Sequence, residues 1–526
     1  MKKTILIMLI LILLVSTTVN SMECEYGIEP KFQYATKFID GAALVSCDGN
    51  SAVVDKFGKI TDYNSPAIKM RSNGLVMVVG ENDLAAFFDK NGFQLTEYVY
   101  DTFPVTDPKT NYKTYRFGYY DGDGKSDLVP FSRGKKYGYI NSKGEEVIPP
   151  RYEYAYGFVN GMALICADGI LSEYGTYTNG KYGYILETGY EVLPPDSFWI
   201  ADNNSEYGYI IFSNGEAGKT LADVNGNVVE ADEFGYAAID APYIKLTTKD
   251  GKTGIKDNKG NVIVPIDDYS FVEYVGNDLF VINRNKITDN KFKTIFEAAS
   301  DEKLYVHFIN IYDRSSLIRI EKGTNLWEKK YGFVTSEGEV IVPPEYDTLY
   351  DLNEGLIYGS KSGKNYLIDY RGKVICEINS NNCGESLDGI FPASDVSSGK
   401  YGYLLNPLRY PKVYVNEKKI TSDVYPRIEN DRTLIPMRAV FEALDAEVMW
   451  DDTTRTVTAS RNGNEIVLKI GSNILYKNGE PVEIDVPARI ENDRTLVPLR
   501  AVSESLDCVV EWDEENRAVY IKTTDV

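Results

Sequence analysis

The segment Asp121-Gly-Asp-Gly-Lys-Ser-Asp127 carries the residues best suited to metal chemistry. Three carboxylates, Asp121, Asp123 and Asp127, on a glycine-rich loop have the oxygen-donor reach that a hard cation such as calcium takes. The loop is not an EF-hand, because Lys125 and Ser126 stand where that pattern needs a ligand and a glycine. The competing reading is a solvated hairpin turn. A second group is cationic: the guanidinium forks of Arg432, Arg438, Arg494 and Arg500 suit the carboxylates or phosphates of an anionic wall polymer. Glu429, Asp431, Glu491 and Asp493 lie beside them and could lock the same arginines into turn ion pairs instead. Nucleophilic hydrolysis needs Ser or Cys with a histidine base, and the one histidine, His307, sits in the apolar run Tyr305-Val-His-Phe-Ile309, a core setting. Two carboxylates can cleave a glycan without histidine, yet among 78 acidic residues no pair stands out.

The arginines belong to a duplication. Arg427-Ile-Glu-Asn-Asp-Arg-Thr-Leu-Ile-Pro-Met-Arg-Ala-Val440 returns as Arg489-Ile-Glu-Asn-Asp-Arg-Thr-Leu-Val-Pro-Leu-Arg-Ala-Val502, and Trp450-Asp451 returns as Trp512-Asp513, all at one offset of 62 residues. Each copy reads as short strands around a polar turn, then a helix. Pro436 sits where the helix begins, and Met437, Val440, Phe441 and Leu444 share one helical face. Alternating segments such as Glu447-Val-Met-Trp450 follow as a hairpin. Trp450 and Trp512 are expected to close the helix-to-hairpin corner as core, with sugar stacking as the alternative. Two such copies make a small α+β domain over residues 411–526.

Residues 22–410 carry a second repetition. Lys136-Tyr-Gly-Tyr-Ile-Asn-Ser-Lys-Gly-Glu-Glu-Val-Ile-Pro-Pro-Arg-Tyr152 and Lys330-Tyr-Gly-Phe-Val-Thr-Ser-Glu-Gly-Glu-Val-Ile-Val-Pro-Pro-Glu-Tyr346 are the fullest copies, with others at 181, 207, 252 and 400. Tyr-Gly-Tyr-Ile alternates with the period of a strand, the glycine-containing segment turns, and Glu-Val-Ile enters a second strand. Pro-Pro is expected to end that strand, since proline cannot donate to a ladder. Asn160-Gly-Met-Ala-Leu-Ile165 then starts a third. One hairpin cannot bury its aromatic face alone, so the units must stack or close. The fold class expected is mainly β, tandem β-hairpin repeats in a propeller-like or β-solenoid array, followed by the duplicated α+β domain.

The middle of the chain resembles the WG-repeat family, with Tyr137, Tyr182, Tyr331 and Tyr401 where that family often has Trp. The Asp121–Asp127 loop resembles the Asp-x-Asp-Gly-x-x-Asp-Leu calcium loops of some β-propeller repeats, although Tyr119 replaces the first Asp. The C-terminal copies resemble the copper amine oxidase N-terminal, or stalk, domain of secreted bacterial proteins. A copper amine oxidase holds its metal on three histidines in a separate catalytic domain, so a chain with one histidine excludes that activity. The resemblance implies a non-catalytic accessory module.

A formal charge of −22 repels phosphate backbones and argues against nucleic acid as a partner. Lys2-Lys3 followed by the apolar run Ile5–Val15 predicts a signal peptide over residues 1–21, and no later segment is apolar enough to span a membrane. Export permits disulfides among the six cysteines at 24, 47, 166, 376, 383 and 508. Cys376 with Cys383, and Cys24 with Cys47, are the neighbours in sequence. The function expected is a secreted, non-enzymatic binding or scaffold protein, extracellular or attached to the cell surface, with no cofactor and with a protein or cell-wall polysaccharide as partner. The alternatives are a carboxylate-based glycan hydrolase and a calcium-stabilised structural protein.

Overall fold

The computed structural model describes residues 24–524 apart from 107–112, 117–120, 160, 172–176, 179, 199, 202–208, 214–218, 224–227, 232–233, 241–242, 249, 258–260, 307–316, 326–327, 421–423, 492–493 and 515–516. The predicted signal peptide and His307 lie outside the described residues.

The repeat is built on a turn. At Asp55, Asp89, Asn141 and Asp369 one side-chain oxygen accepts the backbone N–H groups two and four residues on. The residue three on is Gly58, Gly92, Gly144 or Gly372, each at positive φ, the conformation that glycine adopts without a Cβ penalty. This turn joins the last two strands of a small antiparallel sheet. Among the described residues, ten such sheets follow one another between residues 26 and 405, nine of four strands and one of three. None closes on itself as a barrel. The chain is thus mainly β, with tandem repeats ahead of an α+β module.

Two local expectations are corrected. Pro149-Pro150 and Pro343-Pro344 do not end their strands, which run on through Glu146–Tyr152 and Val340–Tyr346. The prolines are tolerated because these are edge strands that bulge: Tyr137 pairs with Tyr152 and Tyr139 with Ile148, so the register slips between them. The Met162–Ala167 segment is a strand, but it pairs with Tyr154–Ala155 and with Lys181–Leu186, the motif of the next copy, and so belongs to the next sheet instead of completing the old one.

The bulge explains the motif glycine. A Cβ on Gly138 would strike the carbonyl oxygen of Ile148 and come within 2.8 Å of the Pro149 carbonyl carbon. On Gly332 it would lie 2.5 Å from Val342 O, and on Gly402 2.6 Å from Ile28 O. The obstacles are backbone atoms, which cannot rotate away. Gly138→Ala is therefore expected to cost at least the roughly 1–3 kcal/mol of ordinary overpacking. Urea unfolding would register it as a lower midpoint, and an unchanged midpoint would show that the bulge yields.

The last sheet is completed from the other end of the chain. Strands Ser380–Cys383, Ile390–Asp395 and Tyr401–Leu405 accept Tyr26–Phe32 on their open edge, pairing Phe32 with Tyr401 and Ile28 with Tyr403. Ile28 and Phe32 are buried with Ala43, Val45, Val54 and Tyr403, so one core joins the first sheet to the last. Cys24, just ahead of this strand, forms a disulfide with Cys376 across 352 residues, Cα–Cα 6.4 Å. Neither sequence-adjacent cysteine pair forms. Cys47, Cys166 and Cys383 are free thiols, and burial pushes Cys383 up to about 12, a poor nucleophile.

The C-terminal copies meet about a local two-fold relation. Hairpin 427–436 pairs antiparallel with hairpin 489–498, and the central contact is Ile435 opposite Val497, residues 62 apart and thus equivalent. Helices α1 (Met437–Ala443) and α2 (Leu499–Ser505) follow, with Val440, Phe441, Leu499 and Val502 in a shared core. The strand Lys412–Val415 pairs parallel with Ala518–Thr523 of the second copy, tying the ends of the module together.

Candidate functional site

The module rests on the strand that joins the two ends of the array. Tyr425 donates its hydroxyl to Gly27 O at 2.9 Å, Lys419 forms an ion pair with Glu25, and Arg517 donates to Pro407 O at 3.1 Å and Leu408 O at 2.8 Å. Phe57 of the first sheet packs under the paired hairpins, against Val424, Leu434, Val486 and Leu496.

The module holds a cavity of about 780 Å³, to whose lining the array contributes Arg371. Its floor is apolar, from Ile484, Leu499 and Val510, and Trp512 forms one wall. Trp512 is half-buried, carries the Arg517 guanidinium 5.6 Å from its ring centroid, and donates its indole N–H to Glu514 at 2.7 Å. Arg371, on the turn of an array sheet, also lines the cavity. The cavity wall carries both signs of charge.

The four candidate arginines do not form one cleft. Arg432 and Arg500 line the cavity, but Arg432 is held by Asp485, Nε to Oδ2 2.7 Å. Arg438 and Arg494 are exposed outside it. An arginine outside these four pairs the two copies: Arg489 Nη1 donates to Glu429 Oε1 at 2.6 Å, and a second guanidinium N–H reaches Oε2. The tryptophans diverge as well. Trp450 is 39% exposed beside the 67% exposed Met449, so the expected core role is corrected for this copy, whereas Trp512 packs against the module core.

The loop at 121–127 gives each carboxylate its own protein partner. Asp121 receives Arg71 Nε at 3.0 Å on both oxygens, Arg71 Nη2 at 2.6 Å and Ser72 N at 3.1 Å. Asp123 accepts Lys125 N at 3.0 Å, and Asp127 accepts Ser142 N at 3.1 Å. Among the described residues, no three His, Cys, Asp or Glu side chains converge as a metal set. A cation would have to displace the Arg71 guanidinium to reach Asp121. Burial alone would raise the Asp121 carboxyl, but the adjacent Arg71 charge holds it below the usual carboxylate range.

The cavity was not foreseen from the residues alone. Trp512 and Arg500 carry the same letters as Trp450 and Arg438, so repetition flags both sets, and Arg371 has no marker in its own sequence.

These features define a tandem β-repeat protein with an α+β module seated across its joined ends. Residues 25–50, 137–169 and 331–364 match the WG containing repeat, and residues 414–521 match the copper amine oxidase N-terminal domain. The chain carries both, and no catalytic domain is matched beside them. No curated protein matches the chain. Among solved structures, a eukaryotic initiation factor is similar at 10% identity and TM-score 0.39, covering 65% of this chain and 93% of that one. BamB from Moraxella catarrhalis is similar at 9% identity and TM-score 0.27, covering 64% and 96%. The computationally designed Ika8 protein gives 10% identity and TM-score 0.28 over 53% and 94%. Likenesses at these scores do not define a shared fold.

Proposed function

We propose that this chain is an exported, non-catalytic accessory protein whose repeat array closes as a propeller-like ring and whose C-terminal module binds a component of the cell envelope. The ring is supported by ten sheets in sequence order with the first strand completing the last sheet. A closed array hides sheet edges that would otherwise recruit other chains. The binding role is supported above all by the cavity beside Trp512, whose volume falls in the range of roughly 300–1,000 Å³ usual for ligand sites. The leader at residues 1–21 and the disulfide suit an oxidising compartment outside the cytoplasm.

The mature chain is expected to be retained on purified cell wall and eluted by salt, because both guanidinium and carboxylate contacts are screened. No retention on wall or on isolated surface proteins, across several salt concentrations, would end the binding reading.

A further inference from the structure

We infer that the cavity beside Trp512 is a site for a carboxylated saccharide, a uronic-acid type of polymer with one anionic group per sugar. The inference rests on the binding role proposed above and gives it a place and a ligand class.

The charge pattern selects the ligand. Among the described residues, neither Arg371 nor Arg500 has a carboxylate partner, although both are exposed at the cavity. A neutral glycan would leave both guanidinium groups without a counter-charge. A dense polyanion meets the opposite difficulty, since Glu483 and Glu504 line the same space and the whole chain is at −22. A ligand with sparse carboxylates and many hydroxyls fits between these limits. Its carboxylate accepts from an arginine fork, and its hydroxyls donate to Glu483 and Glu504. The C–H face of a sugar ring suits the amphipathic Trp512 wall.

The internal duplication supplies the control. Arg438 and Trp450 stand 62 residues before Arg500 and Trp512, in the same local fold, but they do not line the cavity. If the site depends on the junction with the array, the two equivalent arginines behave differently.

Isothermal titration of the mature full-length chain with trigalacturonic acid, a neutral cellotriose and a short peptide with a free C-terminal carboxylate tests this. Binding is expected for the uronate trimer, about tenfold weaker for the neutral sugar, and about tenfold weaker for the uronate after Arg500→Ala or Arg371→Ala, the effect of one charge-assisted hydrogen bond. Arg438→Ala should leave affinity unchanged. These arginines are exposed, so the folded state is expected to survive, with thermal unfolding as the check. Equal affinity for neutral and charged sugars, equal losses at Arg438 and Arg500, or binding of the peptide alone would each overturn the assignment. If the chain stays on cell wall while Arg371→Ala and Arg500→Ala change nothing, the cavity is wrong and the wider binding role stands. If it is retained on neither wall nor surface proteins, the binding role falls with it.

Discussion

Reduction of the Cys24–Cys376 disulfide is expected to destabilise the repeat array by up to about 6 kcal/mol, the chain-entropy value for a loop of this length. The effect should be large because the bond secures a strand with no local anchor. Tyr26–Phe32 reaches its sheet from the far end of the chain, and its register depends on Ile28 and Phe32, which are 4% and 0% exposed. Phe32→Ala, which leaves the disulfide intact, should itself cost about 3–5 kcal/mol, because the ring packs edge-on against Tyr403 and fills the core between first and last sheets. Guanidinium unfolding with and without reductant measures the first effect and the variant measures the second. Identical midpoints under both conditions would mean that the strand needs no tether. The module should respond too, since Glu25 and Gly27 are part of its seat.

Arg71→Ala should cost about 3–5 kcal/mol, the usual consequence of removing one partner from a buried pair. Arg71 is 0% exposed, and besides Asp121 it donates to Pro130 O at 2.7 Å, so three segments converge on one guanidinium. The alanine variant strands a carboxylate in a desolvated site. A double replacement, Arg71→Met with Asp121→Leu, removes both charges and should recover much of the loss. The pH dependence has a definite sign. Because the folded carboxyl is held below its unfolded value of about 3.9, its contribution is complete above about pH 4 and disappears as pH falls through the lower folded value. In the variant this acid-side loss should vanish. Calcium or chelator should leave the wild-type unfolding temperature unchanged, and a rise with calcium would put a cation on the loop after all.

The hairpin was legible in the sequence because Tyr-Gly-Tyr-Ile and Asn-Ser-Lys-Gly state a strand and a turn within a few residues. The frame of the repeat was not. A periodic sequence does not say where one unit stops, and the Pro-Pro segment looked like a boundary when it is a bulged edge strand lying on the motif glycine. The crossing of ends did leave a trace: the copy at Lys400–Leu404 has no Val-Ile-Pro-Pro-x-Tyr after it, while Ile28-Glu-Pro-Lys-Phe32 has that form with no motif before it. Each is half of one unit. The disulfide follows from that crossing, and the spacing of six cysteines cannot reveal it. The partner of Asp121 was hidden for a related reason, since Arg71 lies 50 residues away in another turn. The two tryptophans show the limit most plainly: identical letters in equivalent places acquire different surroundings, Trp512 lining the cavity against the module core and Trp450 lying 39% exposed outside it.

The crossing of ends also fixes an order in time. The strand at 26–32 emerges from the ribosome before every other strand of the array, yet its partner at 401–405 is among the last of them. At about 5–20 residues per second, roughly 20–70 s of synthesis separate Cys24 from Cys376. Through that interval the first strand must stay unpaired and unaggregated, and the proline at position 30 and the charged residues Glu29 and Lys31 within it are the kind of residues that discourage premature edge pairing. Completion of the array therefore waits for residues 401–405, so a chain truncated before residue 401 has nowhere to place its own beginning.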